Sequence, residues 1–439
     1  MFQTLKNAWK IPELRKKLIF TFLVIVLYRI GAQLPVPWFN AANTLDFQGT
    51  SFYMLELFSG GALSRASLFA LGVSPYITAS IVIQLLTIAI PKFEAWAKEG
   101  EAGKKKLTMV TRYVTVGLAL VTSIGYTMYL RNPDVNMLTY NAGDKGYIFK
   151  DIVIILCYCA GASLVMWIAE KINEHGIGNG ISIILFANII AGMPTTAYSL
   201  WTYCIYGDIN RIAGIALLVG VVLVVLVATL AVIWFTNSER RIPIQYAKRV
   251  VGRKMYGGQS THLPLKLDMA GVMPVIFASS IVGILPTIAG FIPNSGFGKF
   301  VNSYLGHTSF PYIAFYFILV IAFAYFYIMI SFNPVEVSNN LRNNGGAIPG
   351  IRPGKPTVDY ITKILRRLTL MGALFLCIIA GIPMIVYAVW YAIDMVGANA
   401  ISGLAFGGTS LLIVVGVALE TFRELEAQMT LRNYKGFLD

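Results

Sequence analysis

Residues 212–236 read IAGIALLVGVVLVVLVATLAVIWFT and contain no charged side chain. A helix of about 20 apolar residues is long enough to cross the hydrocarbon core of a bilayer. This stretch therefore predicts a membrane-spanning helix, and it decides the fold class because nine further stretches repeat the pattern. They cover residues 18–36, 73–91, 110–130, 152–169, 179–201, 269–291, 311–332, 368–392 and 404–421.

The composition agrees with this pattern, since 56% of the residues are hydrophobic and only 13% are charged. A soluble protein this apolar could not cover its surface with polar groups. We predict an all-α polytopic membrane protein with ten transmembrane helices. Five spans per half would make the second half enter the membrane from the opposite side, which is the plan of an inverted repeat around a central pore.

The net charge of +14 is distributed unevenly over the loops. Of the 35 lysines and arginines, 28 fall in the two termini and in the loops after even-numbered spans. Because loops rich in Lys and Arg stay in the cytoplasm, both termini are predicted to be cytoplasmic.

These patterns divide the chain into successive segments. They are a cytoplasmic N-terminus (1–17), a first five-helix half (18–201), span six with the residues before it (202–236), a basic loop (237–267), spans seven and eight (268–332), a second basic loop (333–366), spans nine and ten (367–421) and a cytoplasmic tail (422–439).

One apolar segment, residues 52–72, is too broken to span. Glu56, Gly60-Gly61 and Arg65 interrupt it, and the full span begins only near Val73. A short helix that re-enters from the outer face fits this pattern, because irregular backbone at membrane depth must be buried in protein or line a cavity. An amphipathic helix lying on the outer surface is the alternative.

The two basic loops, 237–267 and 333–366, are long for a helical bundle. The first alternates apolar and polar residues around Ile244 and Tyr246, which predicts a hairpin with its turn at Gly257-Gly258. In the second, prolines and glycines on both sides of Arg352 predict a stiff turn that projects this side chain. Long loops are usually functional, although attraction to anionic lipid would also explain the charge.

Polar chemistry is scarce inside the spans. Arg29 lies near the outer end of span one, where it can snorkel or pair, and Glu420 lies at the cytoplasmic end of span ten. The three histidines are in separate loops, and the Gly176–Gly180 run has neither a preceding strand nor a P-loop lysine. We therefore predict no catalytic residues, no metal site and no cofactor, and a conduit or scaffold remains.

Several motifs resemble the SecY family, whose members form the channel of the bacterial Sec protein translocase. They are FSGGALSRASLFALG (58–72), PYITASIVIQLL (75–86), GIGNGISII (176–184), QSTHLPLK (259–266), PGIRPG (349–354) and FGGTSLLIVV (406–415). The resemblance extends from about residue 10 to 435. It implies an hourglass of ten helices that passes unfolded secretory chains and releases transmembrane helices sideways between spans two and seven.

The resemblance also implies roles for individual residues. The pore ring would consist of Val73, Ile77, Ile181, Leu185, Ile276 and Ile413. Val73 and Leu185 stand where other members often have isoleucine. The plug, about 52–70, would include Leu57, Phe58, Ser59, Gly60, Gly61, Ala62, Leu63 and Arg65. The lateral gate would be lined by Thr78, Ser80, Gln84, Ser279 and Ser280, with polar groups bonding across the seam, although ordinary interhelical packing would also explain these five residues.

Partners follow from the same resemblance. Lys248, Arg249 and Arg352 would dock the motor ATPase SecA or the ribosome, and SecE and SecG would be membrane partners. SecDF and YidC extend this set, a secretory preprotein with its signal peptide is the expected substrate, and membrane lipid surrounds the chain. The expected location is the cell inner membrane.

Two other functions compete with a translocation channel. A small-solute transporter with a five-plus-five repeat would be expected to carry polar groups at the midplane, where this chain is aliphatic. A scaffold that anchors ribosomes without conducting anything would not need an apolar seal.

Overall fold

A computed structural model describes residues 2–40, 45, 47, 53–131, 137–140, 146–206, 211–246, 249–251, 254–256, 260–292, 295–304, 309–393 and 407–435. The described residues are mostly helical. The helices are α1 (Phe2–Lys10), α2 (Pro12–Gly31), α3 (Tyr53–Ser59), α4 (Ser74–Ala89), α5 (Pro91–Lys98), α6 (Glu101–Leu130), α7 (Tyr147–His175), α8 (Gly180–Tyr206), α9 (Arg211–Asn237), α10 (Met273–Phe291), α11 (Gly296–Tyr304), α12 (Phe310–Ser331), α13 (Pro334–Asn343), α14 (Lys355–Ile393) and α15 (Gly407–Lys435).

Every predicted span overlaps one of these helices, namely α2, α4, α6, α7, α8, α9, α10, α12, α14 and α15. Within the described residues, six helices are long and apolar enough to cross a membrane by length and composition, which makes the protein a multi-pass membrane protein. The others fall short for local reasons. For example, α4 has only 16 residues, and α2 includes the basic cluster at Arg15.

Span two ends in a sharp bend. Helices α4 and α5 meet at an angle of 100°. Pro91 follows Ile90, and proline disfavours the helical conformation in the residue before it. The bend lays α5 across the end of the bundle, with Lys92 over the ring of Trp96.

Most of the buried side chains form one large cluster at the centre of the bundle, here called the central cluster. It draws residues from α2, α3, α4, α7, α8, α9, α10, α12, α14 and α15, and from the chain between α3 and α4. A smaller cluster joins Ala8 of α1 to Leu425 of α15, and Lys17 donates to Gln428 at 3.1 Å. The beginning and the end of the chain therefore pack together at one end of the bundle.

The two basic loops fold together at that end. The strands are β1 (Glu239–Tyr246), β2 (Arg249–Val251), β3 (Lys254–Tyr256), β4 (Ser260–Lys266) and β5 (Gly346–Ala347). Strands β4, β1 and β5 form one antiparallel sheet, so a strand of the second loop extends the hairpin of the first. This sheet, α13 and the first turns of α14 share a hydrophobic core, and we call them the sheet unit.

The predicted hairpin is confirmed, but its turn is wrongly placed. Glu239 pairs with Lys266, and the same register continues inward to Val251 and Lys254. The chain therefore reverses between Val251 and Lys254 rather than at Gly257-Gly258. The glycine pair misled the prediction because pairing, and not glycine alone, fixes where a hairpin turns. Residues 257–259 lie outside the described part.

Candidate functional site

Five residues of the predicted ring belong to the central cluster, and the sixth, Ile181, packs against it. Five of them, Val73, Ile77, Leu185, Ile276 and Ile413, have exposed fractions of no more than 2%, and Ile181 is half-buried against them. They come from α8, α10, α15 and the start of α4. These six positions carry no hydrogen-bonding side chain, so they offer no hydrogen bond to water or ions. Their role as a constriction stays a prediction.

The predicted plug leads directly into this cluster. Helix α3 ends at Ser59, and the chain then passes through turns until α4 begins at Ser74. Phe58 and Ala62 are buried in the central cluster, and Leu63 is buried in a neighbouring one. This burial argues against an amphipathic helix lying on the surface. Residue 52 lies outside the described part.

The remaining plug residues differ in how far they are buried. Leu57 packs on the central cluster while half-buried, Ser59 is buried, and Gly60 and Gly61 are half-buried. Arg65 is exposed and donates to Gln33. The carboxylate of Glu56 accepts from the backbone N–H of Ser64 at 2.9 Å. Burial raises the pKa of Glu56, because a desolvated carboxylate is less stable than the neutral acid.

Side chains of three long helices donate to carbonyl groups of the plug. Asn188 of α8 donates to Phe58 O at 2.6 Å. Arg29 of α2 donates to Gly60 O at 3.2 Å. Tyr126 of α6 donates to Leu63 O at 2.6 Å. Buried carbonyls need such partners, so these contacts stabilise the position of an otherwise irregular segment.

Sequence reasoning missed Asn188 and Tyr126, and it left open how Arg29 is satisfied. A signal for Asn188 was available, since it is the one amide side chain in α8. An amide in an apolar span is expected to find a polar partner, but the sequence did not identify which backbone it meets.

The gate residues are divided between two environments. Thr78, Ser279 and Ser280 line a cavity of about 400 Å³ between α4, α6 and α10, and Phe58 and Leu63 of the plug line it as well. Ser80 and Gln84 lie on α4 and do not line this cavity. Gln84 donates to Ser80 within that helix at 3.4 Å.

The two serines of the predicted gate donate within their own helix, and bonding across the seam stays a prediction. Ser279 donates to Val275 O at 2.7 Å, and Ser280 donates to Ile276 O at 2.8 Å. A hydroxyl in an apolar helix finds the carbonyl four residues earlier within easy reach, so it can donate locally without a partner on the neighbouring helix.

Of the three predicted docking residues, the structure describes only Arg352 completely. Arg352 is exposed, and the loop on both sides of it is anchored. Thr357 donates to Arg352 O at 2.9 Å, and the buried Ser338 donates to Gly354 O at 3.2 Å. Gly354 has a φ of 106°, which only glycine adopts readily. Arg249 lies in β2, with its side chain outside the described part, and Lys248 lies outside it entirely.

No group of His, Cys, Asp and Glu side chains suited to hold a metal ion occurs in the part of the chain that the structure describes. The strongest ion pairs there are structural. Arg112 contacts Glu170 at 2.8 Å and joins α6 to α7, and Arg131 contacts Asp151 at 2.9 Å near the far end of the same two helices.

Comparisons with known proteins agree with this architecture. The SecY family model matches residues 67–422. Protein translocase subunit SecY of Streptomyces galbus is 43% identical over 451 residues, and that of Halalkalibacterium halodurans is 44% identical over 448 residues, with 100% of both chains covered in each case.

Solved structures share the fold at low identity. A protein conducting channel has a TM-score of 0.60 at 19% identity, over 94% of this chain and 92% of that one. A structure concerned with how the plug domain of SecY stabilises the closed channel has a TM-score of 0.59 at 19% identity, over 94% and 92%. Sec61 in a canine ribosome–channel complex has a TM-score of 0.57 at 18% identity, again over 94% and 92%.

Proposed function

Because the chain belongs to the SecY family of protein translocase subunits, we propose that its central cluster contains the constriction of a translocation channel. The chain is a protein-conducting channel. The finer proposal is that ten helices form two inverted halves and pass unfolded secretory polypeptides between them.

One observation supports this proposal: of the six aliphatic residues, which are distant in sequence, five belong to the central cluster and Ile181 packs against it. Val73 lies at the start of α4, Ile181 lies in α8 and Ile276 lies in α10, so three separate helices of the first two-thirds of the chain contribute to the proposed ring. An aliphatic constriction excludes water and ions by dewetting. Such side chains also change rotamer without breaking hydrogen bonds, so an extended polypeptide can displace them.

The plug and the gate extend the proposal in two directions. Residues 52–70 would fill the funnel beyond the ring while the channel is idle. The cavity between α4 and α10 would be the seam through which a signal helix or a transmembrane helix leaves. Its walls are apolar apart from a few hydroxyl groups, which suits the surface of such a helix.

The sheet unit would be the docking platform for SecA or the ribosome. Arg352 is exposed on a loop whose backbone is anchored, so binding does not have to order the loop backbone before its charge is presented. We also propose SecE and SecG as membrane partners, SecDF and YidC as accessory partners, and a secretory preprotein as the substrate.

The proposed location is the cytoplasmic membrane, with both termini and the sheet unit in the cytoplasm. The packing of α1 against the end of α15 supports an even number of crossings. The bias of Lys and Arg toward that end supports its orientation.

Ion flux through idle channels tests the constriction. Ion flux through purified complex in vesicles should rise about tenfold when Ile276→Asn places an amide in the ring. A polar group there can hydrogen-bond water and so stabilise a continuous row of water molecules through the constriction. Ile276→Leu, the matched control, should stay sealed. A tight Ile276→Asn channel would instead favour a scaffold, and a leak specific to one small solute would favour a transporter.

A further inference from the structure

The contacts between the plug and the helices around it go beyond apolar packing. We propose that Arg29 and Asn188 bind backbone carbonyls of the plug and, with Tyr28 accepting a hydrogen bond from Asn188, form a latch that positions the plug in the idle channel. This inference rests on the proposed function of residues 52–70 as a plug. It assigns a role to three residues of α2 and α8 that are not part of the ring.

Asn188 is the centre of the latch. Its side chain is fully buried, and its Nδ2 donates to Phe58 O at 2.6 Å and to the Tyr28 hydroxyl at 2.8 Å. Its Oδ1 accepts from Arg29 Nη1 at 3.2 Å. Both donors and the acceptor of the amide are therefore used, so no group of similar size replaces it without leaving a buried polar atom unpaired.

Arg29 extends the latch to the next turn of the plug. The same Nη1 that contacts Asn188 donates to Gly60 O at 3.2 Å. Arg29 makes no ion pair with a carboxylate in the part of the chain that the structure describes. Carbonyl dipoles of the plug therefore provide stabilisation for its charge, and removal of the plug would deprive it of that contact.

Gly60 fits the latch because it has no side chain. Its φ is 64°, and an added Cβ would lie 2.7 Å from Arg29 Nη1 and 2.9 Å from Asn188 Cα. Alanine at this position would be strained and would also push the two partners apart. The plug thus presents bare backbone at the place where α2 and α8 approach it.

The latch is not needed to hold α2 and α8 in place. The central cluster buries Val24 of α2 and Ile184, Leu185 and Ile189 of α8 through apolar packing rather than through the polar contacts of the latch. Loss of the polar contacts should therefore weaken the closed position of the plug more than the assembly of the helices.

A weaker latch shifts the balance between closed and open channels. A ligand shifts such an equilibrium by its differential affinity for the two states. If the closed state is less stable, a signal helix that binds weakly can still open the channel. Latch variants should therefore leak when idle and should also transport substrates with defective signal sequences, whereas a merely misfolded channel would transport every substrate less well.

The test measures idle ion flux in vesicles that contain the complete purified complex. Asn188→Leu and Arg29→Met should each raise the flux about tenfold, toward that of a channel lacking residues 55–66. Arg29→Lys should lie nearer the wild type, because an ammonium group can still donate to Gly60 O. Ser182→Ala is the matched control, since Ser182 is buried on the same helix and its hydroxyl has no hydrogen-bond partner.

The outcomes separate the latch from the plug. If the channel that lacks residues 55–66 leaks while the Asn188→Leu and Arg29→Met channels stay sealed, the latch is refuted but the plug is not. A sealed deletion would overturn the plug and the latch together. If Asn188→Leu does not assemble, Gly60→Ala is the deciding variant, because it disturbs the same contacts from the plug and leaves the sequences of α2 and α8 unchanged. A leak in Gly60→Ala supports the latch, and a seal like that of the wild type contradicts it.

Discussion

Arg352 lies on a loop whose backbone is held by Ser338 and Thr357, while its own side chain remains exposed. A charge presented in this way can meet an acidic or phosphate-rich surface with little loss of conformational freedom. Complementary charges chiefly increase the rate and the specificity of association. The residue is therefore suited to docking rather than to stabilising the channel.

Charge reversal at this residue should uncouple the channel from its motor. We expect Arg352→Glu to lower SecA-driven export about tenfold, which corresponds to about 1.4 kcal/mol of lost interaction. Assembly of the membrane complex should be unchanged. Export into inverted vesicles measures the effect, and Lys363→Glu, an equal change at an exposed site of α14, should lose less. Normal export by Arg352→Glu would refute the docking role.

Asp268 connects the sheet unit to α10 and accepts from the backbone N–H of Gly271. Burial raises the pKa of its carboxyl from 3.8 to about 6. The folded state therefore binds this proton more tightly than the unfolded chain does, and its stability falls as the pH rises from about 4 to 6.

Asp268→Asn should remove this pH dependence. Above pH 6 the buried charge is replaced by a neutral amide, so the variant should melt at a higher temperature than the wild type at pH 7.5. At pH 4.5, where the wild-type carboxyl is protonated, the two Tm values should converge. Thermal unfolding of purified complex at both pH values measures this. If the Tm values of Asp268→Asn and the wild type differ by the same amount at both pH values, the titration of Asp268 is excluded as the cause of the difference.

At the scale of elements, the plug and the sheet unit illustrate what the sequence could predict. Glu56 and the glycines at 60 and 61 broke an apolar run, so a segment that does not continue as a full span was predictable from these interruptions. The partners of that segment were not, because Phe58 and Asn188 are 130 residues apart and only the fold joins them. The positions of the ring residues depended on the family resemblance rather than on any local pattern.

The pairing of β5 with β1 was equally inaccessible. Strand β5 has two residues, Gly346 and Ala347, too few to show an alternating pattern. Their partners Tyr246 and Gln245 belong to the other basic loop. The sequence indicated two separate basic loops, and only the long-range contact makes them a single unit.

The plug as an element should be dispensable for folding. Deletion of residues 55–66 removes part of the central packing but leaves the long helices, so we expect a channel that assembles and leaks about tenfold more when idle. Ion flux from vesicles measures the leak, and the yield of purified complex is the control for folding. An intact seal in an assembled deletion would disprove the plug.

The core of the sheet unit makes a separate prediction. Ile361 is fully buried there between the sheet and α14. Ile361→Ala should cost about 2–5 kcal/mol of local stability, because it leaves a cavity. Amide hydrogen exchange in β1 should accelerate, whereas Lys363→Ala, an exposed change one half-turn away, should have little effect. Unchanged protection in Ile361→Ala would mean that these elements do not stabilise one another.

At the scale of the whole molecule, the apolar centre and the basic end have different proposed roles. At the centre, the described ring positions carry only aliphatic side chains, so we expect the force on the substrate to come from a partner at the basic end. The account therefore predicts that a polypeptide reaches the central cluster only when such a partner is engaged.

Cross-linking from the centre of the molecule tests this most directly. A photoreactive residue in place of Ile276 should cross-link to a stalled secretory chain, and only when SecA or the ribosome drives it. The same residue in place of Ile318, which is 64% exposed on α12, is the control and should not cross-link. A properly inserted protein that shows no cross-link from position 276 would place the substrate path elsewhere and contradict the channel described here.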